Sequence, residues 1–105
     1  MEKYCVVMVT FANETDAVRV IDAAIENKLV ACAQTFNITS HYTWQGSVCH
    51  APEVMVFFKT TKKLYDALES KIKELHPYQV PEIIAIDIER GLPDYLKWID
   101  TVTAQ

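Results

Sequence analysis

A short segment between two prolines holds the side chains best suited to chemistry in this chain. Pro77 and Pro81 bracket the segment, which carries His76, Tyr78 and Glu82. Each proline fixes its own φ and biases the preceding residue toward extended geometry, so the segment is stiff. Because an apolar strand follows, the carboxylate would lie near solvent and near a low-dielectric core, as in a binding site. The same residue types also build an ordinary helix stop and turn.

Four further side chains are candidate metal ligands: Cys32, His41, Cys49 and His50. Thiolate suits cuprous copper or zinc, and imidazole suits copper and zinc as well. Cys32 lies between two alanines, where cysteine is also a common small core residue. Cys49 and His50 are adjacent, so on an extended strand they point to opposite sides and one ion cannot easily collect both. No Cys-x-x-Cys or His-x-x-x-His spacing is present, which favours a weak surface or interface site over a closed tetrahedral one.

Composition and charge exclude several classes of function. The chain has 105 residues and a net charge of −4, so a nucleic acid is a poor partner. Its two glycines, Gly46 and Gly91, cannot build a Gly-rich phosphate loop. We find neither an apolar run of membrane-spanning length nor the basic start of a signal peptide, so we expect no membrane association. Three cysteines, an odd number, suit a reducing compartment, and we predict a cytoplasmic protein.

Hydrophobic patterning predicts four strands that position these residues. The apolar runs at 5–11, 54–58 and 83–88 predict buried strands, and Cys5 within the first is expected in the core. The β-branched stretch at 30–44 predicts a long strand, and Gln45 and Gly46 predict a hairpin turn after it. The returning strand is expected to be interrupted at Ala51 and Pro52.

Helical spacing predicts three helices. The first is expected to be capped by Asn13 or Thr15 and to end at Asn27 or Lys28, and its apolar positions are Ala17, Val18, Ile21, Ala24 and Ile25. Thr61 is expected to cap the second, and Pro77 to end it. The apolar face of the second helix comprises Leu64, Leu68, Ile72 and Leu75. A short terminal helix carries Tyr95, Leu96, Trp98 and Ile99.

The predicted order is β-α-β-β-α-β followed by a tail helix. This is the ferredoxin-like α+β arrangement, an antiparallel sheet with two helices on one face, and we expect residues 1–105 to form a single domain. The strands at 6–9, 54–58 and 83–86 are apolar on both faces, although two helices cover only one. The tail helix is small, so we expect the uncovered face to drive self-association.

A series of motifs resembles one protein family in order and spacing. The motifs are Leu29-Val30-Ala31-Cys32-Ala33, Ile38-Thr39-Ser40, Tyr42-Thr43-Trp44-Gln45-Gly46, Glu53-Val54, Phe58-Lys59-Thr60, His76-Pro77-Tyr78-Gln79-Val80-Pro81-Glu82-Ile83 and Tyr95-Leu96-Lys97-Trp98-Ile99. Over nearly its whole length the chain resembles the CutA family. The resemblance implies a tight homotrimer of ferredoxin-like subunits, a link to tolerance of divalent cations, copper above all, and no established catalytic activity. We therefore do not expect an enzyme.

The chain departs from the family pattern in one predicted hairpin. Phe36 and Asn37 stand where family members commonly have Pro-Gly, so the bend there is expected to differ in shape. His41 replaces a usually aliphatic residue, and Cys49 with His50 replaces a usually acidic or polar stretch. These changes add possible metal ligands to the hairpin.

Five residues are predicted to line one ligand pocket. Lys59, His76, Tyr78 and Glu82 would form its wall and Trp44 of another subunit would complete it, so that it could hold a small anion or a metal complex. Glu82 is then expected within ion-pair reach of Lys59 or His76. A lysine at a strand end also commonly extends to water, and an aromatic residue at a hairpin tip commonly packs or forms an interface.

Three classes of function compete. The leading interpretation is a trimeric binding protein that responds to copper or another divalent cation. The alternative is a signalling or scaffolding trimer similar to the PII proteins, which bind small ligands between subunits. An acylphosphatase-like enzyme would need an arginine in a Gly-rich anion loop, and neither Arg19 nor Arg90 has that context. The predicted third strand also lacks the Gly-aromatic pattern of an RNA-recognition module.

Overall fold

The computed structural model describes residues 3–105. Met1 and Glu2, on which the expectation about a signal peptide partly depends, lie outside the described residues. The elements in chain order are β1 (Tyr4–Phe11), α1 (Glu14–Glu26), β2 (Cys32–Trp44), β3 (Ser47–Thr61), a 3-10 turn (Lys62–Leu64), α2 (Tyr65–Leu75), β4 (Ile83–Ile88) and α3 (Pro93–Val102). The predicted element order is confirmed. Between residues 3 and 105 the helices are all too short or too polar to cross a membrane.

The four strands form one antiparallel sheet in the order β2-β3-β1-β4. The first strand is therefore central, with Met8 opposite Phe57 of β3 on one side and Ile84 of β4 on the other. Helices α1 and α2 pack together on one face, and their apolar residues share a core with alternate residues of β1 and β3. This is the predicted ferredoxin-like arrangement.

Alternation along the strands and helical spacing build the core together. Val7, Val9 and Phe58 are fully buried, as are Leu68 and Ile72 of α2. Burying an aliphatic side chain of this size stabilises the fold by about 1.5 to 3 kcal/mol. Cys5 is 1% exposed and belongs to this core, as predicted.

The predicted buried face of α1 is confirmed in part, at Ala17, Ile21 and Ala24. Ala17, Val20 and Ala24 are fully buried, whereas Val18 and Ile25 are 41% and 46% exposed. The two alanines lie on the face turned toward the core that α1 shares with the sheet. The larger β-branched residues on its flank consequently remain in solvent.

Two predicted local features are confirmed at α1 and one is wrong at α2. Asn13 caps α1, because its side chain accepts the Asp16 backbone N–H at 2.9 Å. The helix ends at Asn27, as expected. Thr61 precedes the 3-10 turn but makes no capping hydrogen bond. Its hydroxyl is instead buried and has no partner within residues 3–105.

The hairpin is more regular than predicted. β3 runs without interruption through Ala51 and Pro52, and Pro52 lies opposite Thr39 of β2. β1 pairs with β3 only from Val54 onward, so Pro52 lies where β3 has a sheet partner on one side. Proline is tolerated at such edge positions. β2 likewise continues through Phe36 and Asn37, which pair with Met55 and Val54 of β3.

The sheet face opposite α1 and α2 is largely uncovered and apolar. We define this open sheet face by Val6, Met8, Phe36, Met55, Phe57, Ile84 and Ile86, which the register puts on one side. Phe36, Ile84 and Ile86 are 46%, 49% and 56% exposed. Helix α3 covers only one end, where Ile99 is buried and the Tyr4 hydroxyl donates to Asp100 at 2.5 Å.

Candidate functional site

His76 is a buried brace at the end of α2. Its Nδ1 accepts the Tyr78 backbone N–H at 3.1 Å, so the proton resides on Nε2, which donates to the Thr10 carbonyl at 2.7 Å. The ring stacks on Phe11 with centroids 4.5 Å apart. Burial is the main cause that lowers the pKa of His76 from its ordinary value. A neutral imidazole with both nitrogens occupied is fixed in place, and it ties the proline-bracketed connector to β1.

Tyr78 ties the same connector to β3. Its hydroxyl donates to Glu53 Oε2 at 2.5 Å, and both side chains are half-buried. Burial, followed by this hydrogen bond, raises the pKa of Tyr78. The phenol therefore stays protonated and holds a carboxylate at the rim of a cleft.

The cleft has a volume of about 710 Å³ and lies between the connector and the β2–β3 hairpin. Tyr78 and Glu82 line one side, and Trp44 of the same chain lines the other. Glu53 and His41 also line it, and the lining within residues 3–105 includes no lysine or arginine. Two carboxylates beside aromatic rings favour a cation, so of the two expected ligands, a small anion and a metal complex, the small anion is disfavoured.

Lys59 and His76 do not join this lining. Lys59 lies six positions beyond Glu53 on β3, about 20 Å along the strand, and its ammonium donates to Gln34 Oε1. His76 contacts Tyr78 but is buried behind it. Glu82 is exposed and, within residues 3–105, makes no ion pair with either residue. One chain thus brings together Trp44, Tyr78 and Glu82 of the five predicted pocket residues.

The cysteines predicted as ligands lie far apart. Cys32 is half-buried at the start of β2, with its Sγ 3.4 Å from the Tyr95 hydroxyl of α3. This hydrogen bond, followed by burial, raises the pKa of Tyr95 to about 12. Cys49 lies near the hairpin tip, where its Sγ contacts the Ser47 carbonyl at 3.8 Å. As expected for adjacent strand residues, Cys49 and His50 lie on opposite faces.

His41 and His50 are directly opposite each other on β2 and β3. Their ring centroids are 5.7 Å apart and the rings are inclined by 32°. Within residues 3–105, no three His, Cys, Asp or Glu side chains converge in a way that could hold a metal ion. The two imidazoles lie side by side on one face of the hairpin.

Sequence reasoning named both histidines but missed their pairing, and it missed Glu53 at the cleft. The pairing was available by counting outward from the turn, since a two-residue loop at Gln45 and Gly46 makes residues 41 and 50 partners. The sequence around Glu53 does not indicate a functional role for this residue. Its role depends on a connector that is distant in sequence.

These features define a ferredoxin-like α+β protein with an extended hairpin, an uncovered sheet face and a cleft at the hairpin base. A sequence profile described as CutA1 divalent ion tolerance protein matches residues 5–102. The chain belongs to the CutA1 family.

Individual relatives agree with this assignment. The Pyrococcus horikoshii divalent-cation tolerance protein CutA is 38% identical over 94 residues, covering 90% of this chain and 92% of that protein. Mouse protein CutA is 40% identical over 96 residues, and the match spans 90% of this chain but only 54% of the mouse protein. A solved Archaeoglobus fulgidus structure, described as a periplasmic divalent cation tolerance protein CutA, superposes with a TM-score of 0.94. It is 33% identical and the match covers 95% of this chain and 98% of that one.

Proposed function

We propose that the chain forms a homotrimer that binds copper or another divalent cation and acts by binding rather than by catalysis. Similarity to relatives described as divalent-cation tolerance proteins supports the proposal that the chain binds a cation. In this proposal residues 1–105 are one domain, and three such domains assemble through the open sheet face.

The main support for the proposed trimer is the exposed, apolar open sheet face. Phe36, Ile84 and Ile86 are large apolar side chains exposed on a continuous surface, and such surfaces on soluble proteins mark interfaces. A second copy of the same chain has a complementary apolar face, whereas an unrelated polar partner does not. Light scattering at micromolar concentration should therefore give three times the 12.0 kDa chain mass. A folded monomer, or a dimer as the sole species, would disprove the trimer.

Cys32 is our proposed principal copper ligand. Its sulfur lies at the end of the open sheet face beside Tyr95, and thiolate is the preferred donor for cuprous copper. Calorimetric titration with cuprous ion under reducing conditions should show tighter binding to the wild type than to Cys32→Ser. Cys49→Ser is the matched control, because its thiol lies at the opposite end of β2 and β3. Equal affinity and stoichiometry in the wild type and Cys32→Ser would assign Cys32 to packing alone.

We also propose a cytoplasmic location. The three cysteines are all free, and the two that could react, Cys32 and Cys49, are not within reach of each other. Free thiols persist in a reducing compartment. Cell fractionation checks this, and recovery with periplasmic marker proteins would contradict it.

A small-ligand trimer remains a second candidate, favoured by the cleft. Its aromatic residues Trp44 and Tyr78 and its carboxylates Glu53 and Glu82 suit a small organic cation. Calorimetry with spermidine, and with ATP as the anionic comparison, tests the chemistry. Spermidine should bind, and Glu82→Gln should weaken it. Binding of ATP alone would instead favour a nucleotide site like that of the PII proteins.

A further inference from the structure

The hairpin turn fixes His41 opposite His50. Gln45 and Gly46 both have positive φ, 48° and 81°, as in the two-residue turns that match strand twist. Trp44 then pairs with Ser47, and counting outward puts the two histidines in register. A slip of one residue would move one imidazole to the other face of the hairpin. The turn therefore sets the position of His41 opposite His50.

We propose that His41 and His50 chelate one divalent cation of the class that prefers imidazole, such as Ni²⁺, Cu²⁺ or Zn²⁺. Metal–nitrogen bonds are about 2.0 to 2.1 Å long, so a shared cation lies about 3.2 Å from each ring centre. Two ring centres 5.7 Å apart are within that reach once side-chain rotation turns one nitrogen of each ring toward the ion. Water completes the coordination, since both rings are exposed. This site deepens the cation-binding function proposed above and rests on it.

The environment of the pair supports binding over simple packing. Neither ring makes a hydrogen bond within residues 3–105, so ring nitrogens remain available as donors to a metal. Two like charges directly opposite each other destabilise a pair of strands. If both rings carried a proton, their placement would therefore not stabilise the hairpin. A bound cation converts the same placement into a cross-link between β2 and β3.

The site is distinct from the copper site proposed at Cys32. Cys32 lies nine positions from His41 along β2, about 30 Å away. Cys49 is closer, but its side chain belongs to the opposite face. The two cation sites can therefore be removed separately.

Nickel titration of the full-length protein tests the pair, because Ni²⁺ does not oxidise thiols as cupric ion does. We expect His41→Gln and His50→Gln each to weaken Ni²⁺ binding at least about tenfold, because loss of either ring removes the intramolecular second contact. The double variant should be little weaker than either single one, since the rings act as a unit. Cys32→Ser and Cys49→Ser should bind Ni²⁺ like the wild type. Circular dichroism checks that each variant is folded.

The outcomes separate this site from the general proposal. Unchanged Ni²⁺ affinity in both histidine variants, with loss in Cys32→Ser, would overturn the histidine site and leave cation binding intact. Failure of the wild type to bind Ni²⁺, Zn²⁺ or copper would overturn both. Hydrogen exchange gives an independent readout, because Ni²⁺ should slow exchange of hairpin amides in the wild type and not in the double variant.

Discussion

His76, at the end of α2, joins β1 and the connector through one ring. It bonds the Thr10 carbonyl of β1, accepts the Tyr78 amide of the connector and stacks on Phe11. These contacts need a neutral imidazole, because protonation of Nδ1 would remove the acceptor for Tyr78. The position of Tyr78 and Glu82 at the cleft thus depends on a histidine that does not line it.

The protonation state of His76 should make stability depend on pH. Burial lowers its pKa below 6.5, assisted by Arg19 and opposed by the Thr10 hydrogen bond and by Asp16 and Glu53. Because the folded pKa is the lower one, the contribution is complete above pH 6.5 and is lost as pH falls through the folded pKa. We expect the free energy of unfolding to fall as pH drops below about 6.5.

Urea denaturation at fixed protein concentration measures this fall. The decline should be shallower in His76→Gln, which has no imidazole to protonate at this position. A slope in His76→Gln as steep as that of the wild type would refute the assignment.

At the scale of elements, the β2–β3 hairpin depends on the backbone of its turn. Gly46 has φ 81°, and a Cβ added there would meet no atom within 4 Å. Gly46→Ala should therefore cost about 1 to 2 kcal/mol of stability through backbone strain alone. Gln45→Asn should be neutral or slightly stabilising, because asparagine accepts positive φ more readily. Urea unfolding compared with Ser47→Ala as control tests this, and a neutral Gly46→Ala would contradict it.

Elements were predicted from sequence better than their contacts. The β4 bounds, the hairpin turn and the α2 face follow from short-range periodicity, which is local information. The α1 face was wrong at Val18 and Ile25, because these apolar residues also fit helical spacing and only the position of the sheet decides which side is buried. The interruption predicted at Pro52 was wrong. Proline interrupts a strand that is paired on both sides, but it is tolerated where one side of the strand has no partner.

The candidate site was only partly predictable for a related reason. Trp44, Tyr78 and Glu82 were named from their residue types and their setting, and they do share a cleft. Lys59 was grouped with them because it ends an apolar run, but β3 continues in the other direction to reach the cleft. The distance between Lys59 and the cleft depends on the register of the strands, which the sequence alone did not give.

At the scale of the whole molecule, the open sheet face should decide whether chains associate. Ile86→Lys puts a charge on the β4 side of the open sheet face, where Ile86 is 56% exposed and where burying a charge without a partner is costly. We expect the trimer to dissociate at concentrations where the wild type is intact, as measured by sedimentation or light scattering.

Val18→Lys is the matched control for this substitution. Val18 is similarly apolar and 41% exposed, but it lies on α1, which covers the other face of the sheet. It should leave assembly unchanged. Equal dissociation in both variants, or in neither, would count against the open sheet face as the interface.

The central position of β1 also constrains the order in which the nascent chain folds. β1 leaves the ribosome before the other strands, yet the segments that pair with it, residues 54–61 of β3 and 83–88 of β4, belong to the second half of the chain. The β2–β3 hairpin can close locally, whereas β1 has no lasting partner until β3 follows, and its second edge stays unpaired until β4 is made. An apolar strand of this kind stays exposed until β4 is made, so slow translation of the segment between β1 and β4 should favour capture by chaperones or premature aggregation.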